Sequence, residues 1–331
     1  MAENSENFDP VDFYPIEDIA HTNDIEVAKP NTWKSVLWRV TKIVLILGVT
    51  GGLLTYVFSK IPFAKVEYRL LHADPAWVTA GVICYIGSML LSSWRLLSFF
   101  KSIHLRLNYK FNLRLYFLGL CYNVLLPGGI GGDGYKIYLL HKKFKLPTKK
   151  VFFSILFDRL SGFWAIGLIA VTLIILIPSI EVHQAIPIGI FAAGTIIYYF
   201  IAYKYFKDYT HNFIQAHLKA IGVQLCQVLT IVCLLMAQNF HAKFAPYLLS
   251  FLVSSLAAIL PSLGGGGVRE AIFIYLVKPF HLIDNLAVYL SVGFYLISIF
   301  IALFGVYYVI RTDKLEAGLA PDEKTQADGV K

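Results

Sequence analysis

The sequence has few charged residues for its length. Asp, Glu, Lys and Arg together make up 15% of the 331 residues, whereas hydrophobic residues make up 57%. Soluble domains carry roughly a quarter charged and about half apolar residues. This composition therefore excludes a disordered protein and an ordinary cytosolic enzyme, and the mean hydropathy of +0.63 points the same way. It predicts a polytopic membrane protein.

Cysteine pairs and the motifs of soluble catalysts are also missing. The four cysteines lie in apolar stretches without a CxxC pair, so we expect buried hydrophobes rather than disulfide or zinc ligands; they are Cys84, Cys121, Cys226 and Cys233. No GxxxxGK(S/T), HExxH or GxSxG motif is present. Gly129-x-Gly131-x-x-Gly134 follows an apolar helix rather than a strand, so it does not indicate a dinucleotide site. We predict no cofactor, no metal and no catalytic centre.

Basic residues are absent from the N-terminal segment. Residues 1–28 carry eight acidic residues and no Lys or Arg, whereas residues 29–310 carry 25 basic and 8 acidic residues. We expect a disordered acidic cytoplasmic tail over 1–30, a membrane domain over 31–310 and a second cytoplasmic tail over 311–331. A basic membrane domain is typical of cytoplasmic loops beside anionic lipid, and nucleic acid is not an expected partner.

Six apolar segments approach the length that a bilayer core requires, about 20 helical residues. They cover residues 40–58, 77–94, 155–177, 186–203, 219–236 and 284–310. Two shorter apolar blocks run into clusters of proline and glycine, and a short helical stretch follows each cluster. We therefore predict an all-α polytopic membrane protein with six full spans and two re-entrant helical hairpins.

Each predicted hairpin contains a helix break. The first hairpin consists of 115–126, a break at 127–133 and a return at 134–141, and the second of 245–260, 261–267 and 268–277. Twelve helical residues cover about 18 Å, roughly half the hydrocarbon thickness. The predicted helix-break residues are Pro127, Gly128, Gly129, Gly131, Gly132, Pro261, Ser262, Gly264, Gly265, Gly266 and Gly267. The alternative is that these glycines only permit close helix packing.

The basic loops predict the orientation, because cytoplasmic loops are enriched in Lys and Arg. Eighteen basic residues fall on one side of the predicted spans and five on the other, which places both termini in the cytoplasm. Each half, 35–178 and 186–310, then has three crossings and one hairpin, so the halves form an inverted-topology repeat. Aligning Pro127 with Pro261 matches LLPGGIGGDGYK to ILPSLGGGGVRE. Interrupted apolar segments in corresponding positions indicate a transporter's binding site.

Charged residues accompany both breaks. A helix that starts near the midplane presents free N–H groups and partial positive charge, which suit an anion. The predicted substrate-binding cations are Lys136, Arg159 and Arg269. The predicted charge-pairing or coupling residues are Asp133, Asp158 and Glu270. Ionisable residues inside a membrane are functional candidates, although fixed ion pairs that hold the hairpins remain an alternative.

Three ordered motifs combine these residues. They are Asn123-x-x-x-Pro127-Gly128-Gly129-x-Gly131-Gly132-Asp133, Asp158-Arg159-x-x-Gly162 and Pro261-Ser262-x-Gly264-x-x-Gly267-Val268-Arg269-Glu270. Over roughly 35–310 the sequence resembles a flippase-like family that shares the transmembrane region of lysylphosphatidylglycerol synthetase. The resemblance implies a multi-pass protein of a prokaryotic plasma membrane that moves a lipid or lipid-linked head group between leaflets. It also adds Asn123 to the substrate-binding residues.

Two departures from that family affect the expected chemistry. Lys136 stands where the family usually has Arg, so a cation is kept but bidentate phosphate binding is lost. Only some twenty residues follow the last predicted span, so we do not expect an aminoacyl-transferase domain or lysyl transfer.

The predicted function is a lipid translocator whose partner is an anionic lipid head group, and a homo-oligomer is compatible with it. Three alternatives remain open at this point. They are a small-anion or ion-coupled secondary transporter, an accessory subunit of phospholipid lysylation without its own catalytic domain, and a scaffold without transport.

Overall fold

The structure is a computed structural model, and it describes residues 63–125, 131–178, 180, 182–256, 273, 275–276, 279–280, 282–311 and 315. This part of the chain is helical and contains no strand. In chain order its helices are α1 (Phe63–Leu71), α2 (Pro75–Ser102), α3 (Tyr109–Leu125), α4 (Gly131–Phe144), α5 (Thr148–Leu176), α6 (Ala185–Tyr205), α7 (Phe213–Met236), α8 (Ala245–Leu256), α9 (Asp284–Leu303) and α10 (Val306–Ile310).

Five of the described segments are long and apolar enough to cross a membrane. They are α2, α5, α6, α7 and the continuous stretch Asp284–Ile310. These segments correspond to five of the six predicted spans, which confirms the prediction of an all-α membrane protein with several spans. The span predicted at 40–58 lies outside the described residues.

Helix α2 is longer at its C-terminal end than the sequence predicted. Its start is fixed by Asp74, whose side chain accepts a hydrogen bond from the Ala76 N–H at 2.8 Å, and by proline at the first helical position. The predicted span ended at Trp94, but the helix continues to Ser102 because Leu96, Phe99 and neighbouring side chains are buried in the protein core. As a result, Arg95 lies inside the helix rather than in a loop.

Helix α5 begins earlier than predicted. The sequence placed the start of this span at residue 155, whereas the helix begins at Thr148, directly after Pro147. Asp158 and Arg159 therefore lie ten and eleven residues into α5, about 15 Å from its first residue.

Helices α2 and α7 pack along much of their lengths in opposite directions. Near one end, the Thr230 hydroxyl donates to the Gly81 carbonyl. Near the other, Lys219 donates to the Ser98 hydroxyl at 2.6 Å. Gly81 permits the close approach, because a Cβ atom there would already contact the side chain of Cys233 at 3.4 Å. This antiparallel pair forms the centre to which α5 adds a third helix.

Two apolar clusters fill the core, and each contains residues from α2, α5 and α7. One cluster includes Tyr85, Met89, Ile166, Ile231, Phe251 and Phe294. The other includes Leu96, Phe99, Phe111, Ile155, Phe157 and Phe213. On each of the three helices the interval between the two clusters contains polar residues. We call this interval the polar layer, and it is formed by Ser92, Arg95, Asp158, Arg159 and Gln224.

Candidate functional site

Helices α3 and α4 contain the two apolar arms of the first predicted hairpin, and they pack directly against each other. Gly131 and Gly132 were predicted to lie in the helix break, but the structure places both in the first turn of the described helix α4. This turn packs against α3, where a Cβ atom on Gly132 would overlap the backbone carbonyl of Gly119. Glycine at position 132 is therefore required for helix contact, which was the alternative reading of these glycines.

Asn123 connects the two helices of this pair. Its side-chain oxygen accepts a hydrogen bond from the Gly132 N–H at 2.8 Å. This bond satisfies a backbone donor in the first turn of α4, where the helix itself supplies no acceptor. Asn123 thus holds α3 against α4, and a role in substrate binding stays a prediction.

Asp133 lies at the contact between α4 and α5 and binds two cations. Its Oδ1 accepts from Lys136 Nζ at 3.1 Å, and its Oδ2 accepts from the guanidinium of Arg159. Asp133 and Lys136 are almost completely buried, at 6% and 4% exposed. The Asp133 carboxylate therefore joins two helices through charged hydrogen bonds.

Lys136 reaches its position through a gap that a glycine leaves open. Its side chain crosses the surface of Gly119, where a Cβ atom would overlap Lys136 Cε. The ammonium group lies 4.7 Å from the centre of the Tyr116 ring, a cation–π distance. The lysine is therefore held by Asp133 on one side and by an aromatic face on the other.

Asp158 has a different partner, which the sequence interpretation missed. Arg95 Nε donates to Asp158 Oδ1 at 2.8 Å and Arg95 Nη2 donates to Asp158 Oδ2 at 3.1 Å. Gly162 leaves room for this guanidinium, since a Cβ atom there would lie 3.2 Å from Arg95 Nη1. A signal existed in the sequence: Arg95 has apolar neighbours on both sides, in Leu90-Leu91-Ser92-Ser93-Trp94-Arg95-Leu96-Leu97.

A cavity of about 170 Å³ lies at the polar layer. The polar residues that line it are Ser92, Arg95, Tyr116, Arg159, Gln224 and Gln227, and its apolar lining residues include Met89, Phe163, Ile166 and Val223. The cavity thus combines charged groups with an apolar surface, as small-molecule and lipid sites do.

Five charged side chains of the described part of the chain form the ion pairs next to this cavity. Arg95, Lys136 and Arg159 supply three positive charges, and Asp133 and Asp158 supply two negative charges, which leaves one positive charge among these five side chains. The side chain of Arg159 is 32% exposed, compared with 6–10% for the other four. Arg159 is therefore the cation that a ligand in the cavity reaches most easily.

Several predicted site residues lie outside the described part of the chain. They are Pro127, Gly128, Gly129, Pro261, Ser262, Gly264, Gly265, Gly266, Gly267, Arg269 and Glu270. Their predicted roles stay predictions. Within the described residues, no group of three or more His, Cys, Asp or Glu side chains could hold a metal ion.

Part of the chain matches a known protein family. Residues 40–216, just over half of the chain, match the lysylphosphatidylglycerol synthase TM region. The chain belongs to this family. This match confirms the resemblance that the motifs predicted. The matched residues include Asp133, Asp158 and their cationic partners, whereas Gln224 lies outside the matched range.

Membership of the lysylphosphatidylglycerol synthase TM family indicates a membrane protein related to lipid modification or translocation. No curated protein matches the chain.

Proposed function

We propose that this protein moves an anionic phospholipid or a lipid-linked head group between the leaflets of a membrane. The observation that supports the proposal is the cavity at the polar layer, which Arg95 and Arg159 line and where the side chain of Arg159 is 32% exposed. Charges are costly inside a membrane unless they are paired or bind a ligand. A lipid phosphate carries the complementary charge and can accept two hydrogen bonds from a guanidinium.

The depth of the cavity suits a head group that is crossing the membrane. Arg159 lies eleven residues from the start of α5, and Gln224 lies eleven residues from the start of α7 and twelve from its end. At 1.5 Å per residue both positions are about 16 Å from the nearer helix end, close to the middle of a hydrocarbon core about 30 Å thick. A head group bound there is therefore about midway between the two leaflet surfaces.

The ion pairs supply a way to bind and release this head group. Asp133 binds Arg159 in the structure and neutralises its charge. A phosphate that enters the cavity competes with Asp133 for the same guanidinium, and Asp133 then retains Lys136 as its partner. This exchange keeps every charge paired during passage. Transport on this basis is passive or ion-coupled.

The finer architecture belongs to the same proposal. We place a sixth span at 40–58 and treat α3–α4 and the segment that begins with α8 as re-entrant hairpins of an inverted repeat. The contact between α3 and α4 supports the first hairpin. The second is supported by α8, an apolar helix that is shorter than a span. We also propose a prokaryotic plasma membrane, with both termini in the cytoplasm.

Leaflet exchange in vesicles tests the proposal. The purified protein is reconstituted with a trace of head-group-intact phosphatidylglycerol that carries a fluorescent acyl chain, and the fraction accessible to a membrane-impermeant quencher is followed over time. We expect the accessible fraction to rise from about half toward completeness only in protein-containing vesicles. Uptake of labelled soluble anions without lipid exchange would instead support the small-anion transporter, and a newly modified lipid would support a role in lysylation.

A further inference from the structure

Tyr116 lies in α3 and packs against both apolar clusters. It lines the cavity together with Arg95 and Arg159. The side chain is half-buried, and its ring already has a partner, because the ammonium group of Lys136 lies 4.7 Å from the ring centre. The ring therefore belongs to the contact between α3 and α4, and the hydroxyl at its far end is the part of this side chain that remains for a ligand.

The Tyr116 hydroxyl has no hydrogen-bond partner among the residues that the structure describes. It is also not one of the polar atoms that are enclosed without a partner, in contrast to the hydroxyl of Tyr198. A hydroxyl is an effective donor to an anion, because hydrogen bonds from O–H to a charged oxygen are shorter and stronger than neutral ones. A ligand in the cavity can therefore accept from this hydroxyl without displacing an existing hydrogen bond.

The charge near this hydroxyl favours an anionic ligand. The phenol group of Tyr116 interacts electrostatically with the guanidinium of Arg95. Arg95 binds Asp158 through Nε and Nη2, and its third nitrogen, Nη1, lies next to Gly162, another residue that lines the cavity. A guanidinium only donates hydrogen bonds and a hydroxyl can donate one, so these groups suit the two anionic oxygens of a phosphodiester.

We propose that the Tyr116 hydroxyl donates a hydrogen bond to the lipid phosphate that Arg159 binds. This inference rests on the proposed function and names a further binding residue for it. The two ends of the side chain then have separate tasks, because the ring holds Lys136 against α3 and the hydroxyl contacts the phosphate. Removal of the hydroxyl alone should therefore weaken lipid binding and leave the helix contact intact.

The test measures binding of dioctanoyl phosphatidylglycerol to the purified protein in detergent by isothermal titration calorimetry. Tyr116→Phe removes the hydroxyl and keeps the ring. We expect its Kd to rise about tenfold, the lower end of what a hydrogen bond to a charged group contributes, with an unchanged unfolding temperature. In leaflet exchange, the half-saturating mole fraction of fluorescent phosphatidylglycerol should rise by the same factor while the maximal rate stays constant, as expected for the loss of uniform binding.

Tyr138→Phe is the matched control. Tyr138 is exposed in α4 and does not line the cavity, and its ring also lies near a lysine, with Lys142 Nζ 5.8 Å from the ring centre. This variant should keep the wild-type Kd. Tyr116→Leu, which also removes the ring, should both weaken binding and lower the unfolding temperature.

Two results for Tyr116→Phe would overturn the role of the hydroxyl and leave the proposed function intact. One is a wild-type Kd, and the other is a higher Kd together with a lower unfolding temperature, which would make the hydroxyl a structural group. If the wild-type protein neither binds nor exchanges phosphatidylglycerol, the proposed function is wrong and this inference fails with it.

Discussion

The guanidinium of Arg95 binds both carboxylate oxygens of Asp158, and this pair joins α2 to α5 between the two apolar clusters. Both side chains are nearly inaccessible, at 8% and 10% exposed. Neither residue can lose its partner without leaving a buried charge. The pair therefore fixes the distance between two helices that line the cavity.

Removal of one partner should destabilise the protein strongly. We expect Asp158→Ala to cost about 3–5 kcal/mol, because the Arg95 charge then stays buried and unpaired. The double variant Arg95→Met with Asp158→Leu should recover at least half of this loss, since both charges are gone. Thermal unfolding in detergent measures both effects. Equal stabilities of Asp158→Ala and the wild type would contradict the burial of the pair.

The close helix contact at Gly132 predicts that alanine substitutions at Gly132 and Gly134 have opposite effects on stability. Gly132→Ala should destabilise the protein by about 1–3 kcal/mol, because the added methyl group overlaps the Gly119 backbone and must force α3 and α4 apart. Gly134 lies in the same helix, and a Cβ atom added there would have no other atom within 4 Å. Gly134→Ala should stabilise the helix by about 0.5–1 kcal/mol, the usual gain from glycine to alanine.

The same thermal measurement compares these two variants. If Gly132→Ala were as stable as Gly134→Ala, the close contact between the helices would be refuted.

Lys136 should help to keep Arg159 available for a lipid phosphate, because both cations bind Asp133. In Lys136→Met, Asp133 has Arg159 as its only cation among the five paired side chains, and their total charge falls from one positive charge to zero. We expect lipid exchange to slow by roughly tenfold, consistent with the 1.5–3 kcal/mol attributed to a charged hydrogen bond. Lys142→Met removes an exposed lysine from the same helix and serves as the control. Unchanged exchange in Lys136→Met would show that the lysine has no part in transport.

Much of the fold could be predicted because hydrophobicity along the chain reports membrane spans directly. The five described spans and the charged positions 133, 136, 158 and 159 all followed from local sequence. Hydropathy was misleading at Arg95, since a charged residue marks the end of a span in a sequence profile, even when a carboxylate 63 residues away neutralises it.

Contacts between segments that are far apart in the chain explain the other differences between the prediction and the structure. Gly131 and Gly132 follow a proline and other glycines, so local sequence favours a break, and the close contact of Gly132 with Gly119 in α3 is visible only in the structure. Gln224 gave no signal either, because one neutral amide in an apolar run is unremarkable. Only the structure shows that it lines the same cavity as Arg95 and Arg159.

The most direct measurement is leaflet exchange of fluorescent phosphatidylglycerol by three proteins reconstituted at equal density. These are the wild type, Arg159→Ala, and Arg106→Ala as a control that removes an exposed arginine between α2 and α3. We predict rapid exchange by the wild type and by Arg106→Ala, and at least a tenfold loss in Arg159→Ala with normal insertion. Exchange by Arg159→Ala at the wild-type rate would contradict the role of the cavity in moving the head group.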